Sequence, residues 1–141
     1  MAAYLTQDLV LELGDETPED TTMNMLTFRQ RGTTLVIARS PLAAGQTLEA
    51  LYLQQLAQLR ERLGAIISEP QPVSAGVDRG IHGLEVSLQF KRGEVVSYQR
   101  QLAYAPSGQA RFVAVSYSKE TPLEAVDLAH WEAIKAGLRL N

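Results

Sequence analysis

The stretch MNMLTFRQRGTTLVIARS (residues 23–40) decides the reading of this chain. Two alternating segments, 23–30 and 33–40, flank Arg31-Gly32, which predicts two strands joined by a tight turn. A half-buried strand normally shows one apolar and one polar face. Leu26, Phe28, Leu35 and Ile37 fill one face here. The other carries Met23, Met25, Val36 and Ala38, which is not the composition of a wet surface. The pattern leaves two uses open for that second face. It is either a second small core beneath the C-terminal helix or a surface kept for a partner.

Outward from this pair, YLTQDLVLEL (4–13) alternates at Leu9, Leu11 and Leu13 and predicts a strand. GDETPEDTT (14–22) is an acidic, turn-rich loop. Downstream, Pro41 and Gly45 break the alternation. Leu48, Leu51, Tyr52, Leu56, Leu59 and Leu63 then recur at helical spacing and predict an amphipathic helix over 47–63. Thr47 can cap it, Glu49 suits its first turn, Arg60 and Arg62 its last, and Gly64 ends it.

IISEPQPVSAGVD (66–78) is extended, and its two prolines argue for a sheet edge. LEVSLQF (84–90), VVSYQRQLAYA (95–105) and ARFVAVSYS (110–118) are strands joined by hairpin turns at Gly93 and Gly108. Thr121-Pro122-Leu123-Glu124 has the form of a capping box with proline at the first helical position. The helix after it is expected to bury Val126, Trp131, Ile134 and Leu138, with a break near Asp127. Strands, helix, strands, helix with short turns argue an antiparallel sheet with segregated helices, an α+β fold.

A length of 141 residues predicts one domain, 1–141. The apolar content of 45% is that of a soluble globular protein, and a net charge of −3 gives nucleic acid no purchase. There is no cysteine, which excludes disulfides and thiolate metal sites and fits a reducing compartment. MAAYLTQDLVLEL lacks a basic n-region and is interrupted by Asp8, so it does not read as a signal peptide, and no apolar run reaches spanning length. A cytoplasmic protein is the expectation.

Reactive chemistry is sparse. His82 and His130 have no ligand-spaced partners, and Asp127-x-x-His130, which has the spacing of half a catalytic pair, reads rather as two solvated positions on the C-terminal helix. No serine sits in a nucleophile elbow, Gly80-x-x-Gly83 lacks the remainder of a phosphate loop, and Lys91-Arg92 is a hairpin tip. These residues favour a binding or structural domain over an enzyme, with no cofactor and no metal. Strand 95–105 sets Tyr98, Leu102 and Tyr104 against Ser97, Gln99, Gln101 and Ala103. The helix carries Gln54, Gln55 and Gln58 beside its stripe. On composition alone these glutamines read first as an ordinary wet face.

Several pieces recur in order along nearly the whole chain. They are Tyr4, Asn24 between two apolar residues, TLVIARS (34–40), YLQQL (52–56), Gly80 ten residues before Phe90, QRQ (99–101) and Trp131. In this the chain resembles the Eag family, the effector-associated chaperones of bacterial type VI secretion. It departs from the family in lacking a tryptophan before the Asn24 strand and in having Leu88-Gln89-Phe90 where Tyr-x-Trp is common. The resemblance implies a PsbP-like α/β/α sandwich with a curved antiparallel sheet, working as a homodimer. It implies an apolar cradle that holds the N-terminal transmembrane helices of an effector in the cytoplasm until loading on the secretion spike, itself a further partner. By the same resemblance Met23, Met25, Val36 and Ala38 are cradle positions, and Gln55 and Gln101 hydrogen-bond the client. The competing expectation is a PsbP-like adaptor that binds a folded protein and has no membrane-helix client. Neither expectation includes nucleic acid or stable insertion into a membrane.

Overall fold

The computed structural model describes residues 3–18 and 21–140. The elements, in chain order, are β1 (Ala3–Leu5), β2 (Val10–Glu12), β3 (Asn24–Phe28), β4 (Thr33–Pro41), α1 (Leu48–Leu63), β5 (Ile66–Ile67), β6 (Gln71–Ala75), β7 (Ile81–Arg92), β8 (Val95–Tyr104), β9 (Arg111–Lys119) and α2 (Ala125–Ala136). Seven strands form one open, curved antiparallel sheet in the order β3-β4-β9-β8-β7, with β5 and β6 both paired to the far side of β7. This is the expected α+β architecture, with one helix on each face of the sheet.

The deciding hairpin forms as read. Arg31 and Gly32 donate their backbone N–H groups to the Phe28 carbonyl, and Gly32 takes the positive φ of 71° that the turn requires. Asn24–Phe28 pairs with Thr33–Ile37. Strand β4 then continues against β9 over its full length. The prolines of 66–78 do fall on the edge beyond β7. In β7, Gly83 passes so close to β8 that a Cβ there would stand 2.3 Å from the Ala103 carbonyl oxygen.

Helix α1 also starts and stops where expected. The Thr47 hydroxyl accepts from the Ala50 N–H at 3.1 Å, and Gly64 closes the helix in the left-handed region. Its Tyr52 and Leu56 pack on Val86, Leu88, Phe90 and Phe112 on one face of the sheet. Leu63, at the end of the predicted stripe, is exposed. Trp131 of α2 packs on Leu35, Leu102, Val113, Val115 and Tyr117 on the opposite face. The two methionines therefore do not form a second core under the C-terminal helix.

The structure departs from expectation in other places. The single strand 4–13 is instead a hairpin, β1 with β2, in its own two-stranded sheet. The Thr6 hydroxyl accepts from the Leu9 N–H at 2.9 Å and turns the chain where alternation suggested it ran on. Of the acidic loop 14–22, Glu19 and Asp20 lie outside the described residues. The capping box lies one turn later than predicted. Glu124 is the cap, and the Asp127 carboxylate accepts its N–H at 2.9 Å. The helix then runs unbroken through Asp127.

Val126 is 60% exposed, because the buried stripe is Asp127, Trp131 and Lys135, at steps of four. Two charged residues in that stripe hid its phase. Asp127 and His130 are not solvated positions. Asp127 is buried beside Lys119 Nζ at 3.0 Å, and His130 Nδ1 meets the Tyr117 hydroxyl at 2.7 Å. Beneath the same helix Glu85 accepts from Lys135 and, at 3.3 Å, from Trp131 Nε1.

The Glu124 N–H, helped by Lys119 and Arg31, holds the Asp127 carboxyl below the usual carboxylate range despite its burial. A carboxylate depressed in the folded state stabilises it above the unfolded value and loses that contribution as pH falls through the folded one. At about pH 7, Asp127→Asn is expected to cost about 1–2 kcal/mol. The gap to the parent should close below about pH 4. Urea titrations at several pH values measure it, and a gap independent of pH would refute the assignment.

Candidate functional site

Helix α1 lies over β5, β7, β8 and the Phe112 end of β9, and leaves the rest of that face of β9, with β4 and β3, uncovered. Strand register fixes what that bare half contains. Val86, Gln101, Ser116, Val36 and Met25 pair in one continuous row across five strands. The next row is Leu88, Gln99, Ser118, Thr34 and Thr27. On the other side lie Leu84, Ala103, Ala114 and Ala38, with Met23 one residue before β3 in phase with Met25.

No Asp, Glu, Lys or Arg occupies this face of β3, β4, β8 or β9. The opposite face of the same strands carries Arg39, Arg100, Arg111 and Lys119. Met23 and Met25 are 62% and 66% exposed, whereas Val36 and Ala38 are half-buried. Neighbouring strands lie about 4.8 Å apart, so three bare strands make a strip about 10 Å across between outer axes. That is close to the diameter of one helix with its side chains, about 10–12 Å.

The inner boundary of the strip is polar. The Tyr52 hydroxyl of α1 donates to Gln101 Oε1 at 2.6 Å, and Gln101 Nε2 donates to Ser116 Oγ at 2.8 Å. Gln99 Nε2 donates to Ser97 Oγ at 3.0 Å. Burial first, and the Glu85 carboxylate second, push the Tyr52 hydroxyl well above the ordinary phenol range, so it keeps its proton.

The register thus brings together five of the six residues picked from the sequence: Met23, Met25, Val36, Ala38 and Gln101. The sixth, Gln55, sits on α1 one turn beyond Tyr52, half-buried and with no side-chain hydrogen bond among the described residues. Tyr52 itself was read only as core. Ser116 and Ser118 were also missed, although Ala114, Ser116 and Ser118 alternate visibly with Val113, Val115 and Tyr117. Among the described residues, no group of three or more His, Asp or Glu side chains is placed to hold a metal.

Fold and site together define an α+β domain that keeps half of one sheet face bare and free of charge. The chain belongs to the DcrB family, whose model matches residues 9–137. Its fold is shared with the protein of unknown function PA94 from Pseudomonas aeruginosa, at a TM-score of 0.71 and 16% identity over 99% of this chain and 96% of that one. No curated protein matches.

Gln101 is bound on both sides, so truncating it strands a buried hydroxyl. Gln101→Ala is expected to cost about 1–3 kcal/mol and Tyr52→Phe about 1 kcal/mol. Because both break the same bond, the double variant should cost less than the two losses added, by about 0.5–1.5 kcal/mol. Urea unfolding of the four proteins tests this, and strict additivity would mean that the bond contributes nothing.

Proposed function

We propose that this chain is a cytoplasmic chaperone of type VI secretion. It shields the N-terminal transmembrane helices of an effector and helps load that effector on the secretion spike. The observation that carries the reading is the uncharged row Gln101–Ser116–Val36–Met25 on the bare half of the sheet. A transmembrane helix in water exposes far more apolar area than a free protein tolerates. Covering about 300 Å² of it contributes about 7 kcal/mol before ordering costs, at about 25 cal/mol per Å². Methionine adapts its shape, which suits a surface that accepts more than one sequence. The half-buried amide of Gln101 supplies a donor, and that of Gln55 a donor and an acceptor, to polar atoms on the client. The resemblance to the Eag chaperones and a strip about one helix wide agree with this use.

Co-expression with an effector fragment carrying N-terminal apolar helices of about 20 residues tests the reading. The fragment should become soluble and co-purify. With Met23→Asp and Met25→Asp together, the fold should persist by circular dichroism, since neither side chain fills the core. Capture should be lost, because two carboxylates facing an apolar helix must be desolvated at a cost of several kcal/mol. A folded double variant that still holds its client would overturn the assignment. Capture of a folded partner, with the apolar fragment left insoluble, would establish the adaptor instead.

One sheet covers one side of a helix, and two can nearly enclose it. The chaperone is therefore proposed to work as a homodimer, and light scattering at micromolar concentration should report twice 15.5 kDa. A strict monomer at that concentration would refute the two-sheet cradle.

A further inference from the structure

The polar boundary of the strip has a direction, and burial sets it. Tyr52 is 1% exposed, and its hydroxyl meets Gln101 at 2.6 Å. A buried hydroxyl whose hydrogen has no acceptor is costly, so the phenol must donate. Its raised pKa keeps that hydrogen in place. Gln101 must then turn its oxygen toward α1 and its nitrogen toward Ser116, where Nε2 and Oγ stand 2.8 Å apart. A hydroxyl that accepts from Nε2 keeps its own hydrogen to give. Among the described residues Ser116 Oγ donates to nothing, and the second Nε2 hydrogen of Gln101 is likewise unused. The reversed amide would need Tyr52 to accept and would leave a buried O–H with no partner.

We infer that Tyr52 is a positioning residue that locks the Gln101 amide, so that Gln101 and Ser116 present hydrogen-bond donors to the strip. The bare face thus selects apolar segments that carry a hydrogen-bond acceptor where they cross the Gln101–Ser116 row. Such an acceptor is a side-chain carbonyl or hydroxyl oxygen, or a backbone carbonyl freed at an irregular turn. This rests on the proposed chaperone reading and adds a polarity to it. Neither Met25 nor Val36, next along the row, supplies a competing polar atom.

Three otherwise identical Leu/Ala segments of about 20 residues, fused behind a soluble carrier and co-expressed with the full chain, test the inference. One carries a central Asn, which offers an acceptor. One carries a central Trp, which offers only a donor. The third is plain. Expected capture of the Asn segment exceeds that of the Trp and plain segments by up to about tenfold, the scale of one well-made hydrogen bond.

In Tyr52→Phe the ratio of Asn to plain capture should fall several-fold, whatever happens to absolute capture. Ser116→Ala, which ends the relay at its other side, should lower the same ratio. Side-chain amide resonances of Gln101, resolved and slow to exchange in the parent, should collapse toward averaged positions in Tyr52→Phe. An Asn preference unchanged in both variants overturns the relay. Equal capture of all three segments by the parent also overturns it, while leaving the chaperone reading intact. Capture of none of them by the parent overturns both.

Discussion

A single helix cannot cover a sheet six strands across. At about 4.8 Å per strand the outer strand axes are about 24 Å apart, while a helix with its side chains is about 10–12 Å wide. Each face of this sheet is therefore left partly bare, and the sequence treats the two remainders differently. Where α2 leaves off, Arg39 and Arg111 bring charge to the surface. Where α1 leaves off, the positions hold Ser, Thr, Ala, Val and Met and no charge at all. That asymmetry is the feature on which any account of function depends. A face that only needed to be wet would tolerate lysine or glutamate anywhere along it.

The two helices are also fastened differently. Helix α2 carries two buried charges, Asp127 and Lys135, each neutralised by an opposite charge across the interface, Lys119 and Glu85. Breaking such a pair leaves an uncompensated buried charge, so the helix has one permitted register on the sheet. Helix α1 is held by an apolar stripe and by one neutral hydrogen bond, from Tyr52 to Gln101. That bond lies at the line where covered sheet becomes bare sheet. The same amide thus closes the core on one side and faces the open strip on the other.

Much of this was legible in the sequence because the relevant periods are clean. Helix α1 has an unbroken apolar stripe, a good cap and a glycine stop, and it formed at Leu48–Leu63. The 23–40 hairpin has a residue pattern of period two and a glycine where φ must be positive, so its face assignments held, including Met23 and Met25 on the bare side. Helix α2 was misphased because its buried stripe contains Asp127 and Lys135, which an apolar template scores as solvent-facing. The hairpin of β1 and β2 was missed because its turn is made by a threonine hydroxyl inside an alternating run, with neither glycine nor proline to mark it. The relay through Tyr52 was invisible for another reason. A tyrosine in a leucine stripe looks like core, and which atom its hydroxyl meets depends on a strand 49 residues further along the chain.

Across the strip, from α1 to the sheet edge, the residues grade from fixed to adaptable. Gln101 and Ser116 are held by hydrogen bonds, Val36 has a restricted rotamer, and Met25 on the edge strand has three free torsions and is 66% exposed. A surface built of methionine alone would grip any apolar segment loosely and distinguish none. A surface built only of oriented amides would demand one sequence. In the proposed role, the order found here separates the two tasks. The ordered inner boundary reads one polar atom, and the soft outer edge closes over whatever side chains remain. The adaptable part stands on β3, an edge strand paired on one side to β4, where backbone displacement disturbs few ladder bonds. Rigidity is concentrated where α1 and the sheet core already impose it, and compliance where the sheet ends.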